Sequence, residues 1–433
     1  MATIRELAEE HWQGRGDLVH AHHPVARLPG DDGQIHGEEI ADGVLHLKSV
    51  ASVNAVDTGD GLVMLDTGGA FDRDIVHAEV RRWRLDPLAA AVYSHHHIDH
   101  VFGTALFEAE AAERGWARPV VYAHCDVPEH FARYTRTVGW NTAINRRQFA
   151  IDLPGFSWPS EFRLPDVTYE RSLIFTRGDL TFELRHARGE TDDATWTWVP
   201  ERKILHPGDL FIWAVPNAGN PQKVQRYLSD WATALREMAA LGPELLLAGH
   251  GLPVFGRDRI VTALTDTAEL LESIEDQTLA LMNQGLPLDT CLHEVQVPAH
   301  LRDRPWLRPV YDHPQFLVRN VWRRYGGWWD GEPDNLLPAP RAQQAREWVT
   351  LAGGAGPVLD RARALLDGGD ARAACHLVEF AALAEPGNAD VWALRAEVYR
   401  AHAGLQESSM ARNILGHAAR ASDEGRRDLA GGR

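Results

Sequence analysis

The sequence predicts an α+β protein, a strand-rich part carrying a polar centre followed by an all-helical C-terminal part. Three observations lead there. Between residues 44 and 250, short apolar runs repeatedly end in His, Asp or Glu. From 340 to 420 the chain is alanine-rich, with apolar residues recurring every three or four positions. One strand end carries Ser94-His95-His96-His97-Ile98-Asp99-His100, imidazoles and a carboxylate crowded into a single turn.

The first 40 residues are polar and hold His20, His22, His23 and His36. His20, His22 and His23 lack a spaced partner and a strand context, so the segment reads as a surface arm rather than a metal site. Residues 44–47, 52–57 and 61–68 read as successive strands, the last two joined by the turn Thr58-Gly59-Asp60-Gly61. Asp66, before Thr67-Gly68, is expected to orient the nearby histidine loop through hydrogen bonds. Residues 69–87 read as helical, 88–93 as a buried strand and 101–107 as the start of a helix, which puts the histidine cluster in a strand-to-helix turn. After a strand at 120–123 that ends in His124, residues 126–165 read as irregular. There Arg146 and Arg147 stand ready to hold an anionic group or to form salt bridges. Strands at 173–175 and 180–185 lead to the polar loop 186–193, strands at 195–199 and 203–209 follow, and 243–248 delivers Gly249-His250-Gly251.

The histidine turn is what a zinc-type ion needs, because zinc takes nitrogen and carboxylate oxygen at short range. His95 and His97 can converge while Asp99 and His100 turn toward a neighbouring point, an arrangement suited to two metals. A lone histidine at a strand end is most often a hydrogen-bonded core residue; four strand ends in series, each presenting His, Asp or Glu, are specific.

Composition narrows the partners. The net charge of -17 argues against nucleic acid. The 3 cysteines, Cys125, Cys291 and Cys375, are far apart and form no CxxC pair, which fits a reducing compartment. The N-terminus has acids where a signal peptide needs an apolar core, and no stretch is apolar for long enough to span a bilayer. A cytoplasmic protein without a membrane partner is expected.

The C-terminal part is periodic. Ile260, Leu264, Ala268, Leu271 and Ile274 mark one long helix; Ala362, Leu365 and Leu366, then Ala374, Leu377, Phe380 and Ala381, then Trp392, Leu394 and Tyr399 mark three more. Asp367-Gly368-Gly369-Asp370 supplies a break. The pattern resembles one or two tetratricopeptide-like hairpins, too few for a free-standing solenoid, so dimerisation is the preferred use and peptide binding the rival. Trp328 and Trp329 are expected in the core or at that interface, the core being preferred.

The ordered series of ligand-bearing loops resembles the metallo-β-lactamase-fold hydrolases, whose signature His-x-His-x-Asp-His matches His95 to His100. Asp66-Thr67-Gly68 is similar to their N-terminal strand end and Gly208-Asp209 to their bridging aspartate. Glu190, where most of that superfamily carries histidine, resembles the alkylsulfatase branch, as does the segment 310–331. The resemblance implies an αββα sandwich followed by a helical dimerisation domain: an arm at 1–40, a catalytic domain at 41–285, a connecting segment at 286–340 and helices at 341–433. It implies one zinc-type ion on His95, His97 and Glu190, a second on Asp99, His100 and His250, and Asp209 between them. A hydroxide between the two would attack an alkyl sulfate ester at carbon, with sulfate leaving. Asp99 is expected to double as proton acceptor, and Asn217, Asn220, Lys223, Arg226 and Tyr227 are the candidates for gripping the leaving group. The chain departs from the branch twice. No third, sterol-carrier-like domain is expected within its length, and the stretch after Asp209 is shorter, more apolar and free of histidine. The same metal site acting on a lactone, β-lactam, thioester or phosphoester, and a non-catalytic metal-binding scaffold with a helical partner-binding domain, are the alternatives.

Overall fold

The computed structural model describes residues 3–15 and 36–430, so the His20, His22 and His23 tract lies outside the described residues. Two compact units result. One takes the chain up to Arg136 together with Pro159–Gly327; the other takes Thr137–Trp158 and the chain from Trp328 onward.

The first unit opens on helix α1 (Ile4–Trp12), whose Thr3 and Glu6 form a reciprocal capping box. Part of the predicted arm is therefore helical, with Ile4, Ala8 and His11 buried. A seven-stranded sheet follows in chain order: β1 (His36–Ala41), β2 (Val44–Lys48), β3 (Val53–Asp57), β4 (Leu62–Leu65), β5 (Leu88–Val92), β6 (Val120–His124) and β7 (Val167–Tyr169). β1 to β4 pair antiparallel and β4 to β7 parallel. Side chains alternate across this sheet as the strand period of two requires. Leu62 and Met64 pack with Val76 and Val80 of α2 (Arg73–Trp83) and Phe107 of α3 (Thr104–Arg114). Val63 and Leu65 face the other way, into a cluster with Phe182, Leu184, Ile204 and Leu247 of the second sheet.

Residues 126–165 depart from the irregular reading: they begin with α4 (Val127–Arg136) and α5 (Val138–Gln148). α4 buries Val127, His130, Phe131 and Tyr134, and α5 buries Asn141, Ile144, Asn145 and Gln148. Both sets have helical spacing: Val127, Phe131 and Tyr134 form an apolar stripe on α4, whereas in α5 polar residues occupy so many buried positions that no such stripe is visible.

The second sheet runs β13-β12-β11-β10-β9-β8, with β8 (Ser172–Arg177), β9 (Leu180–His186), β10 (Thr195–Val199), β11 (Ile204–Ile212), β12 (Leu245–His250) and β13 (Val254–Phe255). Among the described residues its only parallel pair is β11 with β12. The far face packs Trp196, Leu205 and Leu246 against Trp231 and Leu235 of α6 (Leu228–Ala240) and Ile260, Leu264 and Leu271 of α7 (Arg257–Asn283). Helices thus cover both outer faces of two stacked sheets, an αββα sandwich. α8 (Leu288–Glu294) and α9 (Pro314–Gly326) add Leu292, Leu317, Val318 and Val321 to the same helical layer.

The second unit joins α5 to α10 (Arg341–Leu351), α11 (Ala355–Asp367), α12 (Ala371–Ala384), α13 (Ala389–Gly404) and α14 (Ser409–Asp423). Glu379, Arg395 and Tyr399 form a buried polar knot between α12 and α13. Arg147 of α5 forms a salt bridge with Asp428, and Arg146 donates a hydrogen bond to the carbonyl of Leu153. Trp328 departs from the core expectation: it is 74% exposed, as glycines on either side of the Trp328–Trp329 pair leave it no packed element to join.

Candidate metal centre

The centre is built from the ends of strands. β4 ends at Leu65, and Asp66 follows with φ 59°, a left-handed conformation that aspartate tolerates better than most residues. That bend turns a fully buried carboxylate onto the next strand end. It accepts hydrogen bonds from the amide and hydroxyl of Ser94, both at 2.7 Å, and from His100 Nδ1 at 2.7 Å. Asp66 thus has the orienting role expected of it. His250, at the end of β12, donates its Nδ1 proton to the carbonyl of Val50 at 2.8 Å. In both rings Nδ1 is engaged by a partner, which turns Nε2 toward the ligand groups.

Two groups of ligand atoms result. His95, His97, Glu190 and Asp209 offer atoms within 4.8 Å of one another, and so do Asp99, His100 and His250. Glu190 Oε2 lies 3.5 Å from both His95 Nε2 and His97 Nδ1. Asp209 faces both groups, with Oδ1 3.4 Å from His100 Nε2 and Oδ2 3.3 Å from His250 Nε2 and 3.8 Å from His95 Nε2. Gly249 makes this approach possible: a Cβ there would fall 2.3 Å from Asp209 Oδ1. Three atoms at the convergence, His100 Nε2, Glu190 Oε2 and Asp209 Oδ1, are buried without a hydrogen-bond partner. Buried polar atoms are normally paired, so lone pairs converging from imidazole and carboxylate fit divalent cations of the zinc type.

Electrostatics agree with that fit. Burial lowers His95 to about 4 and holds His97 well below the usual range, keeping both rings neutral and able to ligate. Burial works against charging His250 as well, but Asp209 and Asp99 outweigh it and push the ring up to about 9. The carboxylates therefore draw positive charge into the second group.

The other predicted site residues divide. Asn217 Nδ2 donates to Glu190 Oε1, and Arg226 Nη1 bonds both that oxygen, at 2.8 Å, and the carbonyl of Asn217. Arg226 Nε and Asn217 Oδ1 are buried without partners. Lys223 is half-buried, and burial together with Arg226 lowers it to about 8. Asn220 serves a turn, its Oδ1 accepting from the amide of Gln222 at 3.0 Å. The ring of Tyr227 lies under the guanidinium groups of Arg188 and Arg324.

His96, the middle histidine of the cluster, stays outside both ligand groups. Its Nδ1 donates to Asp193 at 2.9 Å and its Nε2 accepts from Arg133 at 3.2 Å. His96, Asp193 and Tyr134, whose ring lies edge-on to His96, are buried, and the half-buried Arg133 closes this shell behind the ligands. Arg133 and Tyr134 escaped sequence reading because their contacts with His96 join residues 37 and 38 positions apart, which only the fold brings together.

Comparison with known proteins adds the lineage. The model of the metallo-beta-lactamase superfamily matches residues 49–250, and that of alkyl sulfatase dimerisation matches 288–425. The chain belongs to the metallo-β-lactamase superfamily, in its alkylsulfatase-like branch. This alkylsulfatase-like chain is 30% identical to an (R)-specific secondary-alkylsulfatase of Pseudomonas sp. over 84% of its own length and 58% of the relative's. It is 28% identical to a linear primary-alkylsulfatase of Pseudomonas sp., over 70% of its length and 61% of the relative's. Among solved structures it resembles the stereoselective inverting sec-alkylsulfatase of Pseudomonas sp. at 25% identity and a TM-score of 0.80, covering 91% of this chain and 66% of that one. The chain thus spans less than two thirds of the length of these relatives. No helix among its described residues is long and apolar enough to cross a membrane.

Proposed function

We propose that this chain is a dinuclear metal-dependent hydrolase of an alkyl sulfate ester. The observation that carries the reading is the convergence of His100 Nε2, Glu190 Oε2 and Asp209 Oδ1, buried and unpaired, on two groups of ligand atoms. In this reading His95, His97 and Glu190 hold one zinc-type ion, Asp99, His100 and His250 hold the other, and Asp209 serves both. Such ions supply an activated water near neutral pH and positive charge against a developing anion.

The chain's own groups do the rest. Asp99, the most accessible of the carboxylates, with its side chain 26% exposed, orients the attacking water and takes its proton. As water's oxygen bonds to the ester carbon, the carbon–oxygen bond breaks and sulfate leaves with the electron pair. Arg226 and Lys223 supply cationic charge for the sulfate, Arg226 through donors left over from its bond to Glu190. Buried walls around His95, His97 and Glu190 exclude bulk water and strengthen each of these interactions. The helical unit matched by the dimerisation model pairs two copies, and the protein works in the cytoplasm.

A substrate panel tests the reading. Metal analysis should find about two ions per chain, and alkyl sulfates of graded length should release sulfate, with ¹⁸O from water appearing in the alcohol. Failure to release sulfate from any of them, beside turnover of a lactone, cephalosporin, thioester or phosphoester, would replace the sulfate assignment.

A further inference from the structure

Glu190 owes its orientation to residues far along the chain. Its Oε1 is taken by Asn217 and Arg226, which leaves Oε2 for His95 and His97. The loop bearing Asn217 and the backbone bearing Arg226 are in turn held by the turn before α9 and by α9 itself, 93 and 94 residues later.

Asp312 makes the first hold. It is fully buried; Oδ2 accepts the amide proton of Gly219 at 2.7 Å and Oδ1 that of His313 at 2.8 Å. Gly219 is pressed onto the backbone of α9 so closely that a Cβ would fall 2.2 Å from the carbonyl carbon of Phe316. Asn217 lies two residues before that contact, so the loop cannot shift without moving the amide that grips Glu190. Asn320 makes the second hold. Its Nδ2 donates to the carbonyl of Arg226 at 2.9 Å, and its Oδ1 accepts from the amide of Arg226 at 3.4 Å and from Gln225 Nε2 at 3.1 Å. Bonding both backbone groups of one residue fixes where its side chain starts.

We propose that Asp312 and Asn320 are positioning residues of the metal centre, acting through Gly219–Asn217 and through Arg226 to aim Glu190 at its ion. The inference rests on the reading of Glu190 as a ligand. It gives α9, which falls inside the stretch matched by the dimerisation model, a task at the metal centre. A fragment ending at residue 285 would keep every ligand and lose this clamp.

Zinc affinity, read by competition with a chromophoric chelator, tests it in two single-site backgrounds of the full chain. His250→Ala keeps the Glu190 group, and Glu190→Ala keeps the other. Asp312→Asn and Asn320→Ala should each weaken zinc about 10- to 100-fold in the first background and leave the second unchanged. Asn320→Asp, which loses the donor to Arg226, carries the same expectation should the alanine variant fail to accumulate. Adding Asp312→Asn to Asn217→Ala should cost no more than Asn217→Ala alone, because both act through one amide. Equal weakening in both backgrounds would mean general loosening and overturn the inference, as would no weakening in the first. If Glu190→Ala itself leaves zinc binding unchanged, the ligand assignment fails instead; if it loses zinc while the clamp variants do not, only the positioning role fails.

Discussion

Asp66 accepts the Nδ1 proton of His100 at 2.7 Å, and both residues are wholly buried. The same carboxylate holds the amide and hydroxyl of Ser94, so it ties the strand end before the histidine cluster to the last histidine within it. Asp66→Ala should therefore act on metal and on stability together. Loss of ring orientation should weaken zinc about 10- to 100-fold, and the orphaned Ser94 amide should cost about 1–3 kcal/mol of stability. Chelator competition and urea unfolding read the two effects. A variant that binds zinc as tightly as the parent would refute the orienting role.

Gly249 bears directly on Asp209. An added methyl at this position would sit 2.3 Å from Asp209 Oδ1 and 2.5 Å from the carbonyl of Gly208. Gly249→Ala should destabilise by about 1–3 kcal/mol and reduce metal content at both groups, because Asp209 faces each. Retention of full metal by elemental analysis would show that Asp209 is free to yield.

Asp312 should leave a mark on the pH dependence of stability. Burial pushes its carboxyl from an ordinary value near 3.8 up to about 7. A carboxyl raised in the folded state favours folding most at low pH, and that contribution is lost as pH rises toward 7. Relative to Asp312→Asn, the parent should lose up to about 4 kcal/mol between pH 4 and pH 8. Urea midpoints across that window measure it, and parallel curves for the two proteins would rule it out.

The helical unit should fail by a different route. Glu379 accepts from Arg395 Nε and from the hydroxyl of Tyr399, both at 2.8 Å, and Arg395 is also bonded to the carbonyl of Ala418. Without Arg395, Glu379 keeps only the hydroxyl of Tyr399 and the more exposed Arg427, so Arg395→Met should cost about 1–3 kcal/mol. Calorimetry of the full chain should show the loss, while zinc affinity stays as in the parent.

How much of this was legible in the sequence depends on how far each interaction reaches along the chain. The His95 to His100 turn and Glu190 follow apolar strands, His250 ends β12 and Asp209 lies within β11 after its apolar start, so apolar runs pointed to them one at a time. The long helix α7 was legible because Ile260, Leu264, Ala268, Leu271 and Ile274 form a clean apolar stripe, all buried. α5 was not, since Asn141, Asn145 and Gln148 fill its buried positions. Asn217 and Arg226 were found as polar residues near the site, but their bonds to Glu190 depend on a fold that no local pattern encodes. Tyr227 shares the stretch yet turns to Arg188 and Arg324. Asp312 and Asn320 lie in the 310–331 segment that carries the family resemblance, but one precedes α9 and the other sits inside it, and nothing local ties either to the metal centre until Gly219 and Arg226 are placed against them.

The grouping of residues 137–158 with the C-terminal helices has a consequence for how the chain assembles. Asn413 donates to the carbonyl of Gln148 across 265 residues, and Arg147 meets Asp428 across 281. During synthesis α5 emerges long before its partners exist, with Asn141, Asn145 and Gln148 unable to find the packing they have in the finished unit. Closing so long an interval is slow, because the entropy of joining distant segments is lost before their contacts form. Strands β7 to β13 and α6 to α9 are all made in the interval, so the helical unit is the last part of the molecule able to complete itself, and truncation within α14 would strand an internal segment made nearly three hundred residues earlier.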